Sequence, residues 1–222
     1  MSFESTLRHG HGAGFELIET LRWEPVGGFL RGDLHLARLE ASAAALGFDF
    51  AGEIVELGLK RAVAGDTALR VRLALSADGS ADVTTQPFAQ LGPDAVWTIC
   101  IAETRLDSSN ELLRHKTTRR EAYDRARAEF SREKADEVIL LNQAKNVCEG
   151  TITNLFVDPG DGGPLRTPAL ACGLLAGVLR GEMLARGDAV ETTLSLDDLN
   201  GASRLWVGNS LRGLIAAKLV RG

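Results

Sequence analysis

A chain of 222 residues, 45% hydrophobic and 25% charged, is long enough for one large or two small cores and reads as neither disordered nor membrane-spanning. Its net charge of -5 gives no electrostatic reason to bind nucleic acid or anionic lipid, and its longest apolar run, near Val96 to Ala102, is strand-sized. Cys100, Cys148 and Cys172 form no C-x-x-C pair, so reduced thiols in a cytoplasmic protein are expected; His9, His11, His35 and His115 do not fall at ligand spacing with them, so no metal is expected.

Met1 to Ser5 lacks the basic-then-apolar pattern of a signal peptide, and His9-Gly10-His11 reads as a flexible segment. Gly10-x-Gly12-x-Gly14 precedes a strand rather than a helix and is weak evidence for a dinucleotide. Phe15 to Trp23 reads as a strand, and Gly27-Gly28 turns it toward a helix for which Asp33 is the expected N-cap. Leu36, Leu39, Ala43 and Leu46 recur at helical spacing before Gly47, and a second helix is expected over 51–63. Leu69 to Leu75 alternates as a strand with one wet face, and Ala77-Asp78-Gly79-Ser80 makes it a hairpin. A further strand is expected over Val96 to Ala102. Asp107-Ser108-Ser109-Asn110 has linker composition, which divides the chain into a domain over 1–106, a linker at 107–111 and a second domain over 112–222.

In the second half, Thr118 to Arg132 reads as a charged amphipathic helix with Tyr123, Ala126 and Phe130 on one side. Val138 to Leu141 is a short strand, 143–146 a turn, and a strand carrying Glu149 follows. Pro159 to Pro164 is a surface turn, Leu174 to Ala185 a helix, and Leu205 to Gly208 and Leu214 to Val220 are the last strands. The class is α/β (α+β) with two domains.

The chain holds twenty arginines and five lysines, so a lysine among arginines stands out. Lys116 is crowded by Arg114, His115, Arg119 and Arg120; neighbouring cations lower an amine's pKa and make it a nucleophile, whereas arginine stays protonated. A solvated basic turn is the other reading of that segment. Glu149 sits on a strand among apolar neighbours, where a buried carboxylate requires a partner; an exposed strand residue is the alternative. Cys172 to Arg180 reads as a turn opening a helix, whose free N–H groups favour an anion, and Arg38 and the polar turn Asn209-Ser210 are further anion donors. Each also has a purely structural reading as helix start, surface arginine or capped turn. Thr20 is a candidate substrate-side hydroxyl, and Arg22, Arg72 and Arg105 are candidates for substrate carboxylates or, equally, wet-face strand residues. A lysine, an acid-base partner for a ring nitrogen and a phosphate site are the three things a pyridoxal phosphate enzyme asks of its protein.

In chain order these segments resemble the class IV aminotransferase family, the pyridoxal 5'-phosphate (PLP) enzymes of fold type IV. His35-Leu36-Ala37-Arg38-Leu39 is similar to the family's H-x-x-R-L element, which implies that Arg38 binds the cofactor phosphate. Lys116 falls at the Schiff-base lysine. Glu149 to Phe156 resembles E-x-x-x-x-N-L-F, whose glutamate pairs with the pyridine nitrogen. Leu175 to Arg180 resembles L-x-G-[IV]-x-R, which implies backbone phosphate contacts at Val178 and Leu179, and Gly208-Asn209-Ser210 matches the last phosphate-side turn.

Within the family the nearest resemblance is to the aminodeoxychorismate lyases, in 15–25, in Arg114-His115-Lys116-Thr117-Thr118 and in 207–213. Those resemblances imply a small-molecule amino substrate and a D-amino-acid aminotransferase-like fold with PLP in the cleft between two domains. They also imply a homodimer, with a neighbouring subunit lining the substrate entrance. The implied reaction is an elimination yielding p-aminobenzoate and pyruvate, with Lys116 moving the protons; transamination of branched-chain or D-amino acids would use the same residues. The expected first strand begins near the start of the chain, so most of the leading hairpin common in the family is not expected here.

Overall fold

The structure, a computed structural model, describes residues 14–220. His9-Gly10-His11, Met1 to Ser5 and the start of the Gly10-x-Gly12-x-Gly14 run lie outside the described residues. Two units divide the chain: one runs to Gln90 and takes in His115–Arg119, and the other comprises Leu91–Arg114 and Arg120 onward.

In the first unit, β1 (Leu17–Glu24) turns through Gly27 and Gly28, both at positive φ, into β2 (Gly28–Leu30). Helices α1 (Gly32–Leu46) and α2 (Gly52–Ala62) follow, then the hairpin of β3 (Leu69–Leu75) and β4 (Ala81–Pro87). The sheet order is β2-β1-β3-β4, with all three pairings antiparallel. Alternation divides β1 cleanly. Leu17, Glu19 and Leu21 share a face with their partners Leu75, Leu73 and Val71, and α1 covers that face with Leu39, Ala43 and Leu46. Asp33 is not the N-cap. Arg31 takes that position in a left-handed conformation at φ 58°, and Asp33 falls in the first turn, where its charge meets the positive end of the helix dipole. Gly47 ends α1 as expected, at φ 73°.

The second unit begins with β5 (Val96–Leu106), longer than the sequence suggested and bulged between Ile101 and Arg105. After a 3₁₀ turn (Glu111–Arg114) come α3 (Glu121–Ala128), β6 (Glu137–Asn142), β7 (Val147–Gly150), β8 (Asn154–Asp158) and β9 (Leu165–Pro168). Then follow a second 3₁₀ turn (Leu170–Cys172), α4 (Val178–Arg186), β10 (Ala189–Thr192), α5 (Leu196–Asn200), β11 (Arg204–Asn209) and β12 (Gly213–Leu219). Eight strands form one sheet in the order β10-β9-β8-β11-β12-β5-β6-β7. Its β5–β6, β5–β12 and β9–β10 pairs are parallel. Ile99, Ile139, Leu155, Val207 and Ile215 fill one core of this unit, and Cys100, Val138, Leu140, Cys148 and Leu174 fill another. All three cysteines are buried free thiols.

Segment 107–111, read from composition as a linker, falls within the second unit. Its polar residues make local turn bonds: Asp107 accepts from Ser109, and Ser108 exchanges hydrogen bonds with Gln143 at 3.0 and 2.7 Å. Because β5 pairs with β6 and β12, the first unit gives way at Gln90 rather than after β5. Two helices are shorter than periodicity suggests. Thr117 is committed to a β-bridge with Leu17, so α3 starts only at Glu121. The backbone of Leu175 is bonded to side chains rather than to a helix, so α4 starts at Val178.

Candidate active site

Lys116 belongs to the first unit through its backbone. Its carbonyl accepts from Ile18 N–H at 2.8 Å, and Thr118 N–H donates to Glu16 at 2.9 Å, bracketing the Leu17–Thr117 bridge. That register puts Thr117 on the α1 face with Leu17, and Lys116 on the opposite face with Ile18 and Thr20. His115, on the α1 side again, meets Ser42 Oγ of that helix at 2.9 Å. Lys116 is thus set between two anchored neighbours.

Thr20 lies directly across from Arg72, and Arg22 across from Arg70. Lys116, Thr20, Arg22 and Arg72 therefore share one sheet face, by strand alternation. Arg22 is already occupied: it pairs with Glu24, donates to Gln90 at 3.1 Å and lies 4.7 Å over the Phe88 ring. Arg72 is half-buried and has no ion-pair partner among the described residues. Arg105 lies in the second unit, and its guanidinium folds back on the carbonyls of Ala102, Glu103 and Thr104 at the β5 bulge.

Arg38 approaches from the α1 face. Its Nε and Nη2 donate to Glu19 Oε1 and Oε2 at 2.8 and 2.5 Å, and His35 Nδ1 lies 2.6 Å from the same carboxylate. Burial alone would raise the Glu19 carboxyl; the Arg38 charge and the His35 and Arg38 hydrogen bonds outweigh it and hold the group down at about 2. Sequence reading found Arg38 and missed Glu19. The available signal was a carboxylate at an inward position of an otherwise apolar strand face.

In the second unit, Glu149 is 4% exposed on β7. It accepts from Tyr123 Oη at 2.7 Å, from Leu175 N–H at 3.0 Å and from Asn154 Nδ2 at 3.3 Å. Asn154 also donates to the Leu175 carbonyl at 3.1 Å. Two residues on, Gly177 is the N-cap of α4, and no side chain caps that helix. A Cβ at Gly177 would overlap Asn154 Oδ1, so only glycine lets the chain pass this close. The first intrahelical bond is Gly181 N–H to Gly177 O at 2.8 Å, which leaves the N–H groups of Val178 and Leu179 outside the helix ladder. An uncapped helix start of this kind favours an anion, and phosphate in particular.

Asn209 closes the same neighbourhood. Its Nδ2 donates to the Ile152 carbonyl at 3.1 Å, and its Oδ1 accepts from Arg212 N–H at 3.0 Å. Ser210 beside it is buried, and Gly208 before it passes close to Leu179. The loop between β7 and β8 is fixed from below by Glu137, a fully buried carboxylate that sequence reading also missed. Glu137 accepts from the N–H of Val138, Thr151 and Ile152 and from the hydroxyls of Thr151 and Thr153, at 2.6–3.0 Å. Gly150 is required there, since a Cβ would lie 2.8 Å from Glu137 Cδ. Asn154 and Leu175 thus tie Glu149 to the segment that opens α4, and Asn209 is bonded to the loop that Glu137 holds, while Lys116, Thr20 and Arg72 share one sheet face. A buried carboxylate next to an uncapped, glycine-opened helix start fits the ring nitrogen and phosphate of PLP.

The model of the class IV amino-transferases matches residues 16–220. A Schizosaccharomyces pombe protein, provisionally named an aminodeoxychorismate lyase, is 32% identical over 194 residues, which is 84% of this chain and 82% of that protein. A solved Mesorhizobium loti structure, provisionally named an amino-acid aminotransferase, is 55% identical with a TM-score of 0.91, covering 93% of this chain and all of its own. The 4-amino-4-deoxychorismate lyase of Pseudomonas aeruginosa has the same fold at a TM-score of 0.77 and 24% identity, over 99% of this chain and 87% of that one.

Proposed function

The chain belongs to the class IV aminotransferase family, and from that premise we propose that it is a PLP-dependent lyase converting 4-amino-4-deoxychorismate to p-aminobenzoate and pyruvate. Members of the family are enzymes that use PLP. In this reading Lys116 Nζ would hold the cofactor by its aldehyde and Glu149 would pair with its ring nitrogen. The N–H groups of Val178 and Leu179, with Asn209 and Ser210, hold its phosphate, and Arg38 adds a guanidinium that Glu19 has already oriented. When bound, the cofactor supplies an electron sink for the carbon that carries the substrate's nitrogen.

The chain's own groups do the rest. Glu149, with three donors on its carboxylate, would favour a protonated ring nitrogen. Lys116 Nζ would take the proton from the amine-bearing carbon of the substrate. The same amine protonates the departing enolpyruvyl oxygen, because it already stands on that side of the substrate. Breaking that carbon–oxygen bond aromatises the ring and releases pyruvate.

The observation that carries this choice is the half-buried Arg72, without an ion-pair partner among the described residues, on the sheet face of Lys116 and Thr20. A substrate with two carboxylates asks for such a cation beside the reacting amine. Arg22 serves less well, because Glu24 neutralises it, and so does Arg105, because carbonyls of its own strand occupy its guanidinium. The Mesorhizobium loti likeness favours a second reading, amino-acid transamination yielding a keto acid, for which the same residues would serve. The proposal includes a homodimer in the cytoplasm, in line with the family.

Holoenzyme supplied with 4-amino-4-deoxychorismate should release p-aminobenzoate and pyruvate in equal amounts. Separate assays with branched-chain and D-amino acids plus a keto acid should give little product. Transamination without p-aminobenzoate would replace the first reading with the second.

A further inference from the structure

Tyr123 is the chain's one tyrosine, and it lies on the covered side of α3 with its hydroxyl 2.7 Å from Glu149 Oε1. The Leu175 N–H reaches the same oxygen at 3.0 Å, whereas Oε2 takes the longer 3.3 Å contact from Asn154. Two donors on one oxygen fix the rotation of a carboxylate about its last bond and favour its ionised form. The ring of Tyr123 is held in turn. The Arg120 guanidinium lies 4.9 Å over it and donates to the Thr151 carbonyl at 2.5 Å, tying α3 to the loop that follows Glu149.

The charged and titratable groups around the phenol are Glu149, Arg120 and Cys148. Burial raises the phenol's pKa first and Glu149 raises it further; Arg120 opposes them, but the result stays well above the usual tyrosine value. At neutral pH the hydroxyl is therefore a permanent donor. The Cys148 thiol, which burial and Glu149 push up, stays neutral too, so it adds no second charge behind the carboxylate.

We propose that Tyr123 is a positioning residue for Glu149: with Leu175 N–H it occupies Oε1 and presents Oε2 to the cofactor's ring nitrogen. This rests on the reading of Glu149 as that nitrogen's partner. Without the hydroxyl, the carboxylate loses a donor to its charged form, becomes more basic and draws the shared proton away from the ring. The ring then accepts electrons less well, and proton abstraction by Lys116 slows.

Tyr123→Phe keeps the ring and removes only the hydroxyl. Holoenzymes of Tyr123→Phe, Glu149→Gln and the double variant should be compared by cofactor absorption across pH and by PLP affinity. Tyr123→Phe should shift the spectral titration and weaken PLP binding about tenfold, the scale of one hydrogen bond to a charged group. Glu149→Gln should do more, and the double variant should match Glu149→Gln alone. Additive effects, or a wild-type spectrum and affinity in Tyr123→Phe while Glu149→Gln is altered, would overturn the positioning role. A Glu149→Gln holoenzyme with an unchanged spectrum would instead remove the premise, and the proposal with it. A readout free of cofactor comes from tyrosine ionisation at about 295 nm in the apoprotein, which reports Tyr123 alone. It should occur at distinctly lower pH in Glu149→Gln than in the wild type, and equal titrations would overturn the contact itself.

Discussion

The two units hold buried carboxylates by opposite means. In the first, Glu19 meets cations: Arg38 grips both its oxygens and His35 adds a third contact. In the second, Glu149 is held by a phenol, an amide and a backbone N–H, and Glu137 by backbone N–H groups and threonine hydroxyls. A carboxylate closed on cations has its charge balanced by them. Neutral donors also favour the ionised form, by hydrogen bonds to the charged oxygens. Glu137 accepts five such bonds and is saturated as a loop anchor, while the Tyr123 hydroxyl and the Leu175 N–H share Oε1 of Glu149. Glu137 thus anchors its loop, and Glu149 is the carboxylate proposed to meet a ring nitrogen.

The sharpest test of that contrast removes the amine proposed to act with Glu149. Lys116→Ala should lower turnover by at least about a thousandfold and abolish covalent cofactor retention, because one amine both attaches the cofactor and moves the protons. Steady-state assays and gel filtration of the loaded variant read both effects, and wild-type turnover would detach the chemistry from the first unit.

The next largest effect concerns stability. Glu19→Gln leaves Arg38 and His35 without their buried counter-charge and should destabilise the fold by about 3 kcal/mol, read from chemical denaturation at neutral pH. The sign of its pH dependence follows from the direction of the shift. A carboxyl lowered to about 2 on folding is stabilising above its unfolded value, about 4.3, and that stabilisation drains as pH falls below it. The wild type should therefore lose stability between roughly pH 5 and pH 2 more steeply than Glu19→Gln. Parallel acid curves would mean that Glu19 is not charge-balanced in this way.

Smaller still, Arg72→Ala should raise KM for a carboxylate substrate about tenfold while leaving PLP affinity unchanged, the loss of one exposed-side ion contact. Last comes Arg105→Ala, expected to change stability by no more than about 0.5 kcal/mol and kinetics not at all, since its guanidinium donates to nearby carbonyls of its own strand. A KM effect at Arg105 with none at Arg72 would reverse the assignment of the substrate face.

How much of this was legible in the sequence differs between the units for a physical reason. Leu69–Leu75, the Gly47 stop of α1 and the Gln143–Asn146 turn follow from local periodicity and glycine chemistry, and the structure has them where they were expected. Lys116 and Glu149 were found by residue type and order. The Tyr123–Glu149, Glu19–Arg38 and Glu137–Thr151 bonds span 26, 19 and 14 residues, and no local pattern encodes them. Side-chain capture of Leu175 likewise moved the start of α4 four residues beyond its apparent beginning at Leu174. Such long-range polar bonds also overrode composition at Asp107–Asn110, where turn residues taken for a domain linker are stitched to Gln143.

The central claim, that Lys116 is the amine served by the Glu149 site, is tested most directly by reducing the holoenzyme with borohydride and mapping the pyridoxyl group by peptide mass spectrometry. Five lysines compete for it: Lys60, Lys116, Lys134, Lys145 and Lys218. The label should fall on Lys116 alone, at one per chain. Its appearance on another lysine, or on none, would contradict the assignment.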